Sequence, residues 1–80
     1  MKTISEVVVL KLKKYMFEQN LTQYRLAQKS GLPYETVKSI MSRRTKSIDL
    51  KTVLLLSHGL GIKPSEFVDD EFLPEKLNLD

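Results

Sequence analysis

The sequence predicts an all-α fold of five helices, and three observations lead to it. The chain has 80 residues, 41% hydrophobic and 29% charged, which is typical of one soluble globular domain with a modest core. Apolar residues recur at helical spacing in successive segments. Glycine and proline residues stand at the points where one such segment ends and the next begins.

The composition also excludes several kinds of protein. The chain has no cysteine, so it forms neither a disulfide framework nor a thiolate metal site. Its single histidine, His58, belongs to no metal-ligand pattern, and there is no glycine-rich phosphate loop, so we expect no enzyme activity and no cofactor. No apolar run approaches the ~20 residues that span a membrane, and the N-terminus lacks the features of a signal peptide. We therefore expect a cytoplasmic protein without a membrane partner.

The first helix is predicted over residues 4–19. Its main apolar residues fall within an arc of about 120° on a helical wheel. These residues are Val8, Val9, Leu12, Tyr15 and Met16. The stretch EVVVLKL also has high strand propensity, but the apolar arc continues for about four helical turns and therefore favours a helix.

Two short helices joined by a tight turn come next, which is the pattern of a helix-turn-helix motif. Thr22 is predicted to cap the first of them, and Gly31 to end it in the left-handed conformation. Leu26 and Ala27 are predicted to point toward the core. Pro33 is acceptable at the start of the second helix, where its missing N–H group costs nothing.

This second helix has two distinct faces. Val37, Ile40 and Met41 fall on one side, as expected of a helix that packs on a core. Polar residues occupy the other side over an arc of about 140°. They are Tyr34, Glu35, Lys38, Ser39 and Ser42.

The basic loop SRRTKS and two further helices follow. Asp49 is predicted to cap the fourth helix, which ends near Gly59 and Gly61, and Pro64 to begin a short fifth helix. Leu55 is predicted to lie opposite the buried arc of the fourth helix. That arc consists of Leu50, Val53, Leu54, Leu56, Ser57 and Leu60.

The C-terminal residues 71–80 form an acidic and apolar tail after a domain of residues 1–70. Leu10, Phe17 and Leu55 lie outside the main apolar arcs of their helices, which suggests that something covers them. Either the tail folds back over the domain, or these residues build a dimer or partner surface. The sequence leaves both alternatives open. The apolar residues of the tail are Phe72, Leu73, Leu77 and Leu79.

The two halves of the chain differ in charge. Residues 1–46 contain ten Lys and Arg against three Glu, a net charge of +7, whereas residues 47–80 carry −4. A basic half suits a polyanionic partner, although ordinary solvated helix faces give the same count. Lys11, Lys13 and Lys14 on the first helix are interpreted as surface residues rather than contacts.

From residue 21 to about residue 68 the chain resembles the XRE family, the phage Cro/repressor-type helix-turn-helix domains. The resemblance rests on LTQYRLAQKSGLPYETVKSIMS, followed by DLKTVLLLSHGLGI and SEF. It implies a compact five-helix DNA-binding domain, usually dimeric, in bacterial or phage regulators. The residues that match the family pattern are Leu21, Thr22, Gln23, Leu26, Ala27, Gly31, Leu32, Val37 and Ile40.

Three features depart from the family pattern. Pro33 stands where the family often has a capping Ser or Thr, and Arg25 stands where an acid is common. Met16 and Met41 correspond to positions at which many members pair an Arg with a Glu. An apolar pair in place of an ion pair can be neutral for stability. None of these departures removes the surface that would face DNA.

The resemblance implies that the second helix of the motif enters the major groove of double-stranded DNA. The expected base-reading residues are Tyr34, Glu35, Lys38 and Ser39. By resemblance, Gln23 reaches a phosphate from the N-terminus of the preceding helix. The basic loop is suited to further phosphates of the opposite strand. The loop residues expected to bind them are Arg43, Arg44, Thr45 and Lys46.

We therefore expect a transcriptional regulator, a repressor that binds an inverted-repeat operator as a homodimer. The alternative is a protein-interaction module, such as an antitoxin or a scaffold, whose tail binds a partner protein. The basic half favours DNA, and the acidic, apolar tail favours a partner.

Overall fold

The computed structural model describes residues 1–45 and 47–79 of the chain. Over these residues the chain forms five α-helices, so the predicted all-α fold is confirmed. They are α1 (Ile4–Gln19), α2 (Gln23–Ser30), α3 (Tyr34–Met41), α4 (Leu50–Leu60) and α5 (Pro64–Phe67). Two short 3-10 segments follow, Asp70–Phe72 and Pro74–Lys76.

The helix ends lie where the capping residues predict them. The side chains of Thr22 and Asp49 accept hydrogen bonds from backbone N–H groups in the first turns of α2 and α4. Gly31 ends α2 with φ 72°, a left-handed conformation that costs glycine little. Its N–H group donates to carbonyl groups of the last turn of α2. This turn sets the angle between α2 and α3, and both caps and the turn are confirmed.

One apolar core joins the five helices. Phe67 of α5 is fully buried in it, which fixes the short helix that begins at Pro64. Met16 is buried and Met41 packs half-buried against the same core, so no charged group stands at either position. None of the described helices is long and apolar enough to cross a membrane. The buried core residues are Val8, Val9, Leu12, Met16, Leu26, Ala27, Val37, Ile40, Val53, Leu56, Leu60 and Phe67.

The predicted buried arc of α4 is wrong at one edge. Leu50 and Leu54 are 70% and 43% exposed, whereas Leu55 is half-buried rather than fully exposed. The reason is that Gly59 belongs to the buried face, because α4 approaches Ser30 of α2 closely at this glycine. Gly59 lies about 140° from Leu54 on the helical wheel, so burying Gly59 turns Leu54 outward.

The tail folds back over the N-terminal end of α1. Leu77 is only 5% exposed, and its backbone forms an isolated parallel bridge with Lys2. The N–H of Asn78 donates to the Lys2 carbonyl oxygen at 2.9 Å, and Phe72 packs against the core. Docking therefore uses two of the four apolar tail residues. The division of the chain at residue 70 into a domain and a tail stays a prediction.

Lys11 is not the surface residue that the sequence predicts. Its side chain is 10% exposed and forms an ion pair with Asp69, which is 41% exposed. The Lys11 ammonium group lowers the pKa of Asp69, and a hydrogen bond from the Glu71 N–H lowers it further. The pair joins α1 to the start of the tail. A helical wheel places Lys11 beside Val7, and it becomes buried because the tail covers this side of α1.

The two halves of this ion pair are not equivalent, and we expect substitutions to show it. Asp69→Asn removes the partner charge of a Lys11 side chain that is only 10% exposed, so it should lower the free energy of unfolding by about 2 kcal/mol. Lys11→Met leaves a carboxylate that water can solvate, and the apolar methionine side chain still fills the site. The loss of unfolding free energy should therefore stay below about 1 kcal/mol. Urea unfolding of both variants at pH 7 measures the difference. Equal losses would contradict this asymmetry.

The Asp69 contribution also has a defined pH dependence. Because the folded state lowers the pKa of Asp69, the stabilisation is complete above the unfolded pKa of about 3.9 and is lost as the pH falls through the lower folded value. Wild type and Asp69→Asn should therefore converge in stability once the pH has fallen through the lowered folded pKa of Asp69. A constant difference down to that pH would contradict the assignment.

Candidate nucleic-acid interface

The helix α3 packs on the core by one face and exposes the other. Val37 is fully buried and Ile40 is 3% exposed. On the opposite side, Tyr34, Glu35 and Lys38 are exposed, and Ser39 is half-buried at the edge. The two-faced pattern of the sequence is thus present in the structure. Four side chains of different hydrogen-bonding character share one accessible surface.

The N-terminus of α3 has no capping side chain. Pro33 is its N-cap residue and provides no side-chain acceptor. The Pro33 carbonyl accepts from the N–H groups of Thr36 and Val37 at 3.0 and 3.3 Å. The earlier N–H groups of the helix therefore have no side-chain cap, and the positive end of the helix dipole lies beside Tyr34 and Glu35.

Two tyrosines meet across the turn between α2 and α3. The ring centroids of Tyr24 and Tyr34 are 5.7 Å apart and the rings are inclined at 67°, an edge-to-face arrangement. One helical turn beyond Tyr34, the Lys38 ammonium nitrogen lies 5.9 Å from the centroid of the Tyr34 ring. This distance is within the range of a cation–π interaction. The three side chains form a continuous group on the exposed surface of the motif.

The other end of α3 is closed by a turn that carries two arginines. Arg43 adopts φ 62°, a left-handed backbone conformation that residues other than Gly, Asn and Asp rarely adopt. The Arg43 and Arg44 N–H groups donate to the Ile40 and Ser39 carbonyl oxygens at 3.0 Å each. The Ser42 hydroxyl accepts from Arg44 Nε at 3.0 Å. This turn holds both arginines at the C-terminal end of α3, where the helix dipole favours cations.

The basic loop is attached to the first turn of α1. The Ser5 hydroxyl donates to the Thr45 carbonyl oxygen at 3.1 Å. Hydrogen bonds from Thr3 lower the pKa of the Glu6 carboxyl, and the positive charge of Arg43 contributes a smaller lowering. The Ser5 hydrogen bond thus holds Thr45 next to α1, and Arg43 lies close enough to Glu6 for its charge to influence that carboxyl. Lys46, the remaining predicted residue of this loop, lies outside the described residues.

Gln23 is the first residue of α2 and is half-buried beside the Thr22 cap. Arg25, one of the departures from the family pattern, donates from its guanidinium to the Gln28 side chain at 3.2 Å along the exposed face of α2. Gln23 thus lies at the positive end of the α2 dipole, as the resemblance implies.

Two residues that contact this interface, the exposed Tyr24 and the buried Ser5, are absent from the sequence prediction. Tyr24 is 58% exposed and reads from the sequence as one of several polar positions on α2. Its ring contact requires the angle between two helices, which a helical wheel does not give. Ser5 and Thr45 are 40 residues apart in the chain, so only the folded arrangement brings them together.

Other kinds of site find little support in the described part of the chain. No three His, Asp or Glu side chains there are grouped so that they would hold a metal ion. His58 is exposed. A cavity of about 210 Å³ lies behind the basic loop and is lined mainly by hydroxyl-bearing residues. They include Thr36, Thr45, Ser47 and Thr52.

The comparison with known families identifies the class of protein that has this arrangement. The chain belongs to the Cro/C1-type HTH DNA-binding domain family, whose sequence model matches residues 11–72. The match includes α2, the turn, α3 and the basic loop. No curated protein and no solved structure gives a significant match. The resemblance to XRE-family helix-turn-helix domains is confirmed, and the chain is a DNA-binding helix-turn-helix domain.

Proposed function

We propose that this protein is a cytoplasmic transcriptional regulator that recognises a specific double-stranded DNA sequence and represses transcription from it. The observation that carries the proposal is the exposed face of α3. It has an uncapped N-terminus beside its polar side chains and a turn with two arginines at its C-terminal end. The face is suited to base edges, and the two ends of the helix are suited to phosphates.

Each side chain of this face has a chemical preference. A carboxylate at Glu35 accepts a hydrogen bond from cytosine N4, and the ammonium group of Lys38 donates to guanine O6 and N7. The Ser39 hydroxyl donates or accepts and therefore suits either strand. The Tyr34 ring fits against a thymine methyl group, or its hydroxyl binds a phosphate. Glu35 repels phosphates unless a cytosine or Lys38 compensates its charge, which makes it the most informative residue of the four.

Positioning contacts to the phosphates would come from both sides of this face. Gln23 at the N-terminus of α2 lies where a phosphate benefits from the helix dipole. Arg43, Arg44 and Thr45 would bind the opposite strand, together with Lys46. Such contacts set the register of the protein on the duplex and contribute most of the salt-dependent affinity.

We propose that the protein acts as a homodimer on an inverted repeat. Leu50 and Leu54 lie one turn apart on α4 and are 70% and 43% exposed, an apolar surface of the kind that a second copy covers. A dimer with two α3 helices in successive major grooves reads two half-sites about one helical turn apart. The alternative of a tail that binds a partner protein has less support, because Phe72 and Leu77 already pack on the domain.

The substitution Glu35→Gln tests the base-reading assignment. We expect the preferred base to change at a single position of the site, with a loss of about tenfold or more against the original duplex, because a carboxylate and an amide prefer different bases. The measurement is competitive binding to the preferred duplex and to its single-base variants.

Glu18→Gln is the matched control, since it makes the same chemical change at an exposed position of α1. It should leave the base preference unchanged. If Glu35→Gln alters affinity equally for all duplexes, the carboxylate acts only through its charge, and the base-reading assignment of Glu35 is wrong.

A further inference from the structure

The ring of Tyr24 contacts the exposed face of α3 from the neighbouring helix. It lies 5.7 Å from the Tyr34 ring in an edge-to-face arrangement, and the two residues are 58% and 40% exposed. Neither belongs to the core, so the pair contributes little to holding α2 and α3 together. The core residues of the motif do this instead, through Leu26, Ala27 and Val37.

Tyr34 has a second neighbour on its own helix. The Lys38 ammonium nitrogen lies 5.9 Å from the centroid of the Tyr34 ring, so the ring attracts the cation. A tyrosine and a lysine at an exposed helix surface would otherwise sample several rotamers, which binding to DNA would have to restrict. Here the Tyr34 ring is held from α2, and the Lys38 side chain is drawn toward that ring.

We propose that Tyr24 is a positioning residue for base recognition, which holds the Tyr34 ring and, through it, the Lys38 ammonium group in the orientation that meets the base edges. This inference rests on the proposed function of α3 and deepens it. Holding a side chain in its bound orientation before binding increases affinity because less conformational entropy is lost on association. The gain applies only to contacts that need this orientation, so it increases discrimination between sequences and not general attraction to DNA.

The test compares Tyr24→Ala with Tyr24→Phe in the 80-residue chain. We expect Tyr24→Ala to bind the preferred duplex about three- to tenfold more weakly, the range that corresponds to one aromatic pair. Binding to a scrambled duplex and the salt dependence of binding should stay unchanged. Tyr24→Phe keeps the ring and should behave as wild type, which distinguishes ring packing from a hydrogen bond between the Tyr24 hydroxyl and a phosphate.

A double-mutant cycle with Tyr34→Ala shows whether Tyr24 acts through Tyr34. In the Tyr34→Ala background, Tyr24→Ala should cause no further loss of affinity for the preferred duplex. Additive losses would mean that Tyr24 contacts DNA directly, and they would overturn the inference. An equal loss in Tyr24→Phe would overturn it as well.

The same experiment separates this inference from the proposed function. If wild type binds the preferred and scrambled duplexes equally, sequence-specific recognition itself is wrong and the inference falls with it. If wild type discriminates and Tyr24→Ala discriminates equally well, only the role of Tyr24 is wrong. Circular dichroism of each variant establishes that the helices are intact.

Discussion

Gly59→Ala is expected to lower the free energy of unfolding by at least about 2 kcal/mol. A Cβ atom at this position would lie 2.0 Å from the Ser30 hydroxyl oxygen, 2.9 Å from the Ser30 backbone nitrogen and 3.0 Å from its Cα. In an open helix the same substitution would instead stabilise by up to about 1 kcal/mol. The steric collision with Ser30 makes the substitution destabilising, because a backbone atom cannot rotate away as a side chain can. Thermal unfolding should show a decrease of roughly 10 °C in the midpoint.

Ser30 provides the control for this prediction. Its hydroxyl is buried and has no hydrogen-bond partner among the described residues, so Ser30→Ala alone should change stability by less than about 1 kcal/mol. Ser30→Ala combined with Gly59→Ala should recover only part of the loss, since the backbone contacts of Ser30 remain. A Gly59→Ala protein as stable as wild type would mean that α2 and α4 do not approach as closely as described.

The double substitution Arg43→Ala and Arg44→Ala is expected to weaken binding to every DNA duplex. Removing two phosphate contacts lowers the magnitude of the slope of log affinity against log salt by about 1.8, which corresponds to a roughly sixtyfold loss of affinity at 0.1 M salt relative to 1 M salt. The base preference should not change, because phosphate contacts carry no sequence information. Fluorescence anisotropy over a range of salt concentrations measures the salt slope, and the same assay with single-base variants of the duplex measures the base preference.

A control variant that removes the same charge elsewhere shows whether the loss of affinity is due to charge alone. Lys13→Ala with Lys14→Ala removes the same charge from exposed positions of α1 and should keep the salt slope of wild type. Arg43→Gly removes the charge and relieves the left-handed strain together, so it should increase stability while it weakens binding. Equal losses of affinity in the lysine and arginine variants would mean that Arg43 and Arg44 make no specific phosphate contact.

Most of the fold follows from local patterns. Thr22, Asp49 and Gly31 determine where helices begin and end because their side chains or backbone satisfy groups at the helix termini. The predictions that are wrong concern contacts between segments distant in the chain. Lys11 is buried only because the tail covers it, and Leu54 is exposed only because Gly59 faces α2. A helical wheel contains neither relationship.

The candidate interface can be predicted from the sequence to a similar extent. The polar face of α3 follows from one helical period, and the structure exposes Tyr34, Glu35 and Lys38 together. What supports that face does not follow, since Tyr24 and Ser5 act across a turn and across 40 residues. Their contacts depend on interhelical angles that the core sets, and the sequence pattern specifies those angles only indirectly.

Sequence-specific recognition by α3 is tested first by selecting bound duplexes from a random double-stranded DNA pool with the 80-residue chain at near-physiological salt. We expect enrichment of an inverted repeat whose half-site centres lie about 10 bp apart, one turn of the duplex. A bound pool without enrichment would mean that the basic surface binds phosphates only. Either that outcome or the absence of bound DNA would contradict sequence-specific recognition by α3.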